Sequence, residues 1–296
     1  MSITQLLGPH YLPGSYDEFE TWARLARPPH WMMLSEVDAD WFKWNGQMLS
    51  AVRQGTRLFV KRIETPPNVE TDPEGTAREY AASFWPLIEY TDRLGFSRNR
   101  VVWGGINEVG MNTGQVDLME KYARFEVELL KQGKQMGVHF GVGTWAVGNP
   151  TDNNMLTEYW APVLHELVST QMGLYNLHGY GPLTNDFVFR YREHHAIFEK
   201  MGFHNVPILM TEFGNDQMRD QNGAVIPGTG QWKAIYPNLT AYYNNYILPA
   251  LRGFHQDAGY FCGAMLFCLN DGGAWKSFDV SYSDPGICNL LAQTNE

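Results

Sequence analysis

Two glutamates stand where an apolar stretch gives way to a loop. The segment VVWGGINEVG carries Asn107 and Glu108 at its polar end, and VPILMTEFGND carries Thr211 and Glu212. Glutamate is disfavoured in strands, and a carboxylate placed directly after an apolar run must find polar partners or stay near water. Two such groups facing one space can divide acid and base work, because like-charge repulsion favours one proton shared between them. Flanking a glycosidic bond at about 5–5.5 Å, a pair of this kind supports the retaining reaction: one acid protonates the departing oxygen, and one carboxylate attacks the sugar.

Something must hold those ends together. Eight short apolar runs punctuate the chain, at residues 3–8, 31–35, 57–63, 100–107, 138–144, 173–178, 207–212 and 260–269. Most are continuous instead of alternating with polar residues, the pattern of strands buried on both faces of a parallel sheet. Between them, apolar residues recur at steps of three and four, as in Phe19, Trp22 and Ala26; Tyr80, Phe84 and Leu87; Leu118, Tyr122, Phe125 and Leu129; Leu156, Trp160, Val163 and Leu167; and Leu239, Tyr243, Tyr246 and Ala250. Those spacings make one-sided helices. A weaker helix falls near 38–53 and a short one near 284–293. Strand and helix alternating eight times predict an α/β fold, a single (β/α)8 TIM barrel over residues 1–296, with an open doubly wound sheet as the alternative. Against that alternative, the first strand-to-helix turn reads GPHYLPGS, and no GxxxxGK[ST] occurs, so no nucleotide cofactor is expected. In a barrel, strands four and seven stand nearly opposite across a narrow interior, and their carboxyl ends carry the chemistry.

With these residues placed, the chain resembles the retaining glycoside hydrolases of clan A, the cellulase-like barrels. The resemblance rests on Asn107-Glu108 ending strand four, on TEFG around Glu212 ending strand seven, and on LHGYG in the sixth run. It implies that Glu108 is the acid/base, Glu212 the nucleophile, Asn107 a partner of the sugar 2-hydroxyl, and His178 and Tyr180 a substrate-site pair whose Tyr hydroxyl contacts the nucleophile. Members commonly carry an Arg near the second strand and a Trp ending the eighth, whereas here those runs read WMMLSEV and LFCLND. Arg62, ending the third run, is the candidate for the missing positive group, and Trp275, in NDGGAWKSF, for the missing ring. Trp145, in GTWAVGNP at the end of the fifth run, joins Trp275 as a sugar-stacking candidate, while Trp103, Ile208, Leu209 and Met210 read as barrel wall.

Composition narrows the partners. A net charge of -10 with no offsetting basic cluster repels a phosphate backbone, so nucleic acid is not an expected ligand. With 10 Trp, the aromatic content exceeds what a core of this size needs, which fits an oligosaccharide or polysaccharide substrate. The first residues form no signal sequence and no apolar run reaches about 18 residues, so a cytoplasmic protein that does not span a membrane is expected. Cys262, Cys268 and Cys288 sit in apolar surroundings and read as inert buried thiols. A metal-dependent hydrolase is the second enzyme reading, but the first run offers only His10 and no His-x-His. His194 and His195 are adjacent on a helix, so their side chains diverge by about 100° and no metal is expected. The reading outside enzymology is a barrel that binds glycans without cleaving them.

Overall fold

The computed structural model describes residues 2–11, 22, 31–34, 56–60, 68–109, 115–184, 186–216, 231–269, 277–280 and 286–294. Eight strands close into a barrel in sequence order: β1 (Leu7–Tyr11), β2 (Trp31–Leu34), β3 (Arg57–Val60), β4 (Val101–Gly104), β5 (His139–Trp145), β6 (Gly173–Tyr180), β7 (Ile208–Gly214) and β8 (Phe261–Leu269). All neighbours are parallel, and β8 returns to pair with β1. The fold is the (β/α)8 barrel that the alternation predicts.

Side chains sort by the two-residue period of a strand. Trp31, Met33, Phe59, Val102, Leu174, Leu209 and Met265 form one buried cluster filling the barrel, while Met32, Leu58, Val60, Val101 and Trp103 join the larger cluster shared with the helices. A methyl group added at Gly141 would come within 2.7 Å of the Phe59 ring, so this inward position on β5 accommodates no side chain. Trp103, Ile208, Leu209 and Met210 are buried wall, as expected.

The surrounding helices are α1 (Pro73–Ser83), α2 (Trp85–Arg93), α3 (Val116–Met136), α4 (Asn154–Tyr159), α5 (Ala161–Thr170), α6 (Arg190–Lys200), α7 (Trp232–Ile235), α8 (Leu239–Tyr242), α9 (Leu248–Gln256) and α10 (Ile287–Gln293), with a π-helical turn at Tyr243–Ile247 joining α8 to α9. On α3 the buried stripe runs Met119, Tyr122, Phe125, Glu126, Leu129, Leu130 and Gly133, and the helix stops at left-handed Gly137. One member of that stripe is a carboxylate.

The beginning of the barrel differs from the sequence expectation. Residues 3–6 form a 3-10 turn with a capping box between Ser2 and Gln5, which buries Ile3 and Leu6 on one side. Strand β1 starts only at Leu7, so His10 and Tyr11 lie inside the strand. The helix expected near 38–53 lies outside the described residues, and no described helix is long and apolar enough to cross a membrane.

Candidate active site

Strand β6 supplies three polar side chains by simple alternation. Leu174 points into the barrel and Tyr175 outward to α6, where its hydroxyl meets His194 at 2.7 Å. The same period carries Asn176, His178 and Tyr180 inward.

Strand β7 reaches the site differently. Its register against β6 runs Leu177 to Met210 and then His178 to Glu212, so one extra residue, Thr211, is inserted on β7. Leu209 faces the interior. Strict alternation from it would aim Glu212 at the helices, and the bulge turns Glu212 back to the barrel side. There the Tyr180 hydroxyl donates to Glu212 Oε2 at 2.8 Å. Burial pushes the Tyr180 phenol well above its ordinary range and the adjacent carboxylate adds to the effect, so the hydroxyl keeps its proton and remains a donor. Behind the sheet, the Tyr246 hydroxyl on the π-helical turn lies 2.5 Å from the Gly214 carbonyl and 2.8 Å from that of Gly181, tying the ends of β6 and β7 to one group.

Glu108 arrives on a short extension. Strand β4 ends at Gly104, and four residues later Glu108 adopts the left-handed region, φ 53°. For a residue with a side chain this costs on the order of 1–2 kcal/mol, and its surroundings must hold it there. Two anchors do so. The Tyr80 hydroxyl on α1 lies 3.2 Å from the carbonyls of both Gly104 and Gly105, and Val109, just beyond Glu108, pairs with Trp145 of β5.

These elements converge on His178. Its Nδ1 lies 3.3 Å from Glu108 Oε1 and 3.4 Å from Glu212 Oε2, and one donor atom from each of the three residues falls within 4.8 Å of the others. The Glu108 side chain is 54% exposed and that of Glu212 8%, so one carboxylate opens to solvent while the other sits in the floor of the mouth. Such a trio can share a proton, and it also has the donors to hold a divalent cation, a convergence that His-x-His spacing could not reveal.

The other sequence candidates divide. Asn107 is half-buried beside Glu108, and its Oδ1 has no hydrogen-bond partner among the described residues. Arg62 and Trp275 lie outside the described residues. Trp145 must be corrected: its exposure is 0%, and its ring packs 4.9 Å from Trp160 and 5.6 Å from Tyr122, centroid to centroid, leaving no face for a sugar. The cause is again a bulge. Between Val142 and Trp145 strand β5 advances three residues while β6 advances two, from Tyr175 to Leu177, which reverses the face and sends Trp145 into the helical shell.

Sequence reasoning missed the aromatic wall. Phe267 of β8 and Phe278 stand edge-on to the Tyr180 ring, at 6.1 and 6.3 Å, and His10 meets Phe267 at 4.8 Å. Phe267 was hidden because it lies within an apolar run that is otherwise wall. His194 and His195 do not converge, since His195 stacks on Tyr260 while His194 is buried against Tyr175. No disulfide joins the cysteines, and burial pushes the Cys262 thiol up to about 11 and that of Cys288 to about 12.

Neither a protein-family model nor a curated protein matches the chain. Solved structures do share its fold. The catalytic domain of a mannanase from Streptomyces sp. SirexAA-E superposes with a TM-score of 0.55 at 12% identity, over 93% of this chain and 77% of that one. A GH5-4 broad-specificity endoglucanase from an uncultured bacterium gives 0.54 at 10% identity, over 98% and 93%. A mannohexaose complex of Thermomonospora fusca β-mannanase gives 0.53 at 13%, over 93% and 82%. At these identities the likeness is one of architecture alone: the chain shares the barrel fold of these enzymes.

Proposed function

We propose that the protein is a retaining glycoside hydrolase acting on an oligosaccharide or polysaccharide. The observation that carries this reading is the meeting of Glu108 and Glu212, from opposite sides of the barrel, on either side of His178 Nδ1, at 3.3 and 3.4 Å. One oxygen of each carboxylate lies within 4.8 Å of the other, a closeness that supports the paired arrangement of about 5–5.5 Å used in retention.

In the first step Glu212 attacks the anomeric carbon as the bond to the leaving oxygen breaks, and Glu108 gives its proton to that oxygen. In the second, Glu108 takes a proton from water, whose oxygen displaces Glu212 and regenerates both side chains. Exposure suits the assignment: the group that trades protons with solvent and product is the open one. The unpartnered Oδ1 of Asn107 offers an acceptor for a sugar hydroxyl beside the acid. The solved neighbours named as mannanase and endoglucanase direct the substrate search to β-mannans and β-glucans.

The test is Glu212→Ala on an activated aryl glycoside. Turnover should vanish, and azide should restore it with inverted anomeric configuration by filling the vacated space. Activity retained in the variant without azide refutes the assignment.

The convergence of two carboxylates and an imidazole also supports a second reading, metal-assisted hydrolysis with Glu108, His178 and Glu212 as ligands. Activity that disappears after chelation and returns with added Zn²⁺ would establish it over the first.

A further inference from the structure

The stripe of α3 that packs on the barrel contains Glu126, a fully buried carboxyl group that the reaction above does not use. It lies against the two segments that matter most to Glu108. Its Oε1 accepts from the Gly143 amide at 3.3 Å, inside the β5 bulge, and a methyl group added at Gly105, the first residue after β4, would meet both carboxyl oxygens at 3.6 and 3.7 Å. One helical turn earlier, the Tyr122 hydroxyl donates to the Gly143 carbonyl at 2.9 Å. Residues four apart on one helix face therefore hold both polar groups of a single peptide residue.

The need for this clamp follows from the bulge. Inserting a residue takes Gly143 and Thr144 out of the regular ladder, and the backbone there is left-handed, with φ 90° and 38°. A buried amide and carbonyl without ladder partners cost on the order of 1–3 kcal/mol each unless other groups replace them. Tyr122 and Glu126 replace them from outside the barrel. The bulge then sets Trp145, Trp145 pairs with Val109, and Val109 follows Glu108.

We propose that Glu126 is a positioning residue that clamps the β5 bulge against the end of β4, and so fixes the backbone presenting Glu108. The proposal rests on the glycosidase reading for its kinetic consequence, and on the contacts alone for its structural one.

Burial raises the Glu126 carboxyl to about 8, with the Tyr122 hydroxyl and the Gly143 amide opposing that rise. Tyr122 is the titratable side chain facing it from its own helix, while β4 and β5 meet it through the backbone of Gly105 and Gly143. A neutral acid therefore occupies the clamp at pH 6, and an anion replaces it as pH rises through about 8.

The experiment compares wild type, Glu126→Gln and Glu126→Ala in three readouts. The first is kcat/KM for an unactivated oligosaccharide, which needs acid assistance, and for an aryl glycoside whose leaving group does not. Glu126→Ala should lose about ten- to hundredfold on the first substrate, the scale of a misplaced catalytic group, and far less on the second. Glu126→Gln, always neutral and able to accept through its amide oxygen, should stay near wild type at pH 6. The second readout is pH: an activity loss near pH 8 in wild type should be reduced in Glu126→Gln. The third is amide hydrogen exchange, where Glu126→Ala should lose protection at 143–145 and 105–109 while Glu126→Gln retains it.

Equal losses on both substrates, or matching alkaline profiles for wild type and Glu126→Gln, overturn the route through Glu108. Unchanged exchange in Glu126→Ala overturns the clamp itself. If wild type cleaves no glycoside the functional reading fails, and exchange still decides the clamp. If Glu126→Ala does not fold, Tyr122→Phe takes its place in the exchange and kinetic comparisons, since it removes the other half of the clamp.

Discussion

If Glu212 is the nucleophile of the proposed retaining reaction, Tyr180→Phe separates its two chemical steps, because the bond it removes matters most when Glu212 regains its charge. The Tyr180 hydroxyl donates 2.8 Å to Oε2 of a carboxylate that is 8% exposed. A hydrogen bond to a charged group contributes about 1.5–3 kcal/mol. In the attack step that charge is consumed, so losing the donor does not weaken the nucleophile at a pH where it is ionised. In the second step Glu212 departs from the sugar as an anion, and a donor aimed at it stabilises the developing charge. The full bond, at about 1.36 kcal/mol per tenfold, sets a ceiling of about 10- to 150-fold on the slowing of that step. The ring should hold its place, since its edge-on contacts with Phe267 and Phe278 survive the substitution. With an activated aryl glycoside, kcat should fall, a burst of phenol should appear, and mass spectrometry should show the sugar attached to the protein. The acid limb of kcat/KM should also move to higher pH, because a carboxylate without its donor ionises less readily. A folded variant with wild-type kcat, no burst and an unmoved acid limb would refute both the contact and the role given to Glu212.

Other consequences are independent of that bond. Glu108→Gln should lose far more kcat/KM on an unactivated oligosaccharide than on an activated aryl glycoside, and because the side chain is 54% exposed its thermal midpoint should stay near wild type. Trp145→Ala should cost about 3–5 kcal/mol in denaturant unfolding while leaving KM unchanged wherever it is folded; a raised KM with unchanged stability would return this ring to the cleft. Dialysis against a chelator should leave turnover unaltered, as measured on the same preparation before and after metal content is determined. Raising pH from about 4.5 to about 8 should destabilise wild type relative to Glu126→Gln, because the folded protein binds a proton that the unfolded chain has already released; parallel melting curves would contradict the buried carboxyl.

The barrel was legible because each element obeys a period. Buried strands read as continuous apolar runs, and helices such as α3 show their stripe at three- and four-residue steps. The two glutamates stood out because a carboxylate directly after an apolar run must find polar partners or stay near water, and the fold brings both to His178. What escaped was the side on which a residue emerges, and for this a single inserted residue is enough. Thr211 and the Gly143–Thr144 segment have no pattern that marks them as bulges, yet one turns Glu212 toward the mouth and the other turns Trp145 away from it. Counting residues along either strand therefore gives the wrong face after the insertion.

The compensation for the second bulge escaped the helix pattern altogether: Glu126 is buried in the stripe of α3 between Phe125 and Leu129, a place the three- and four-residue steps leave unmarked. A carboxyl group there is intelligible only once a strand amide is known to have left its ladder. The site is thus built outward from its irregularities. An inserted residue displaces backbone polar groups from the sheet, the surrounding helix carries side chains that receive them, and the strand end held in this way presents Glu108.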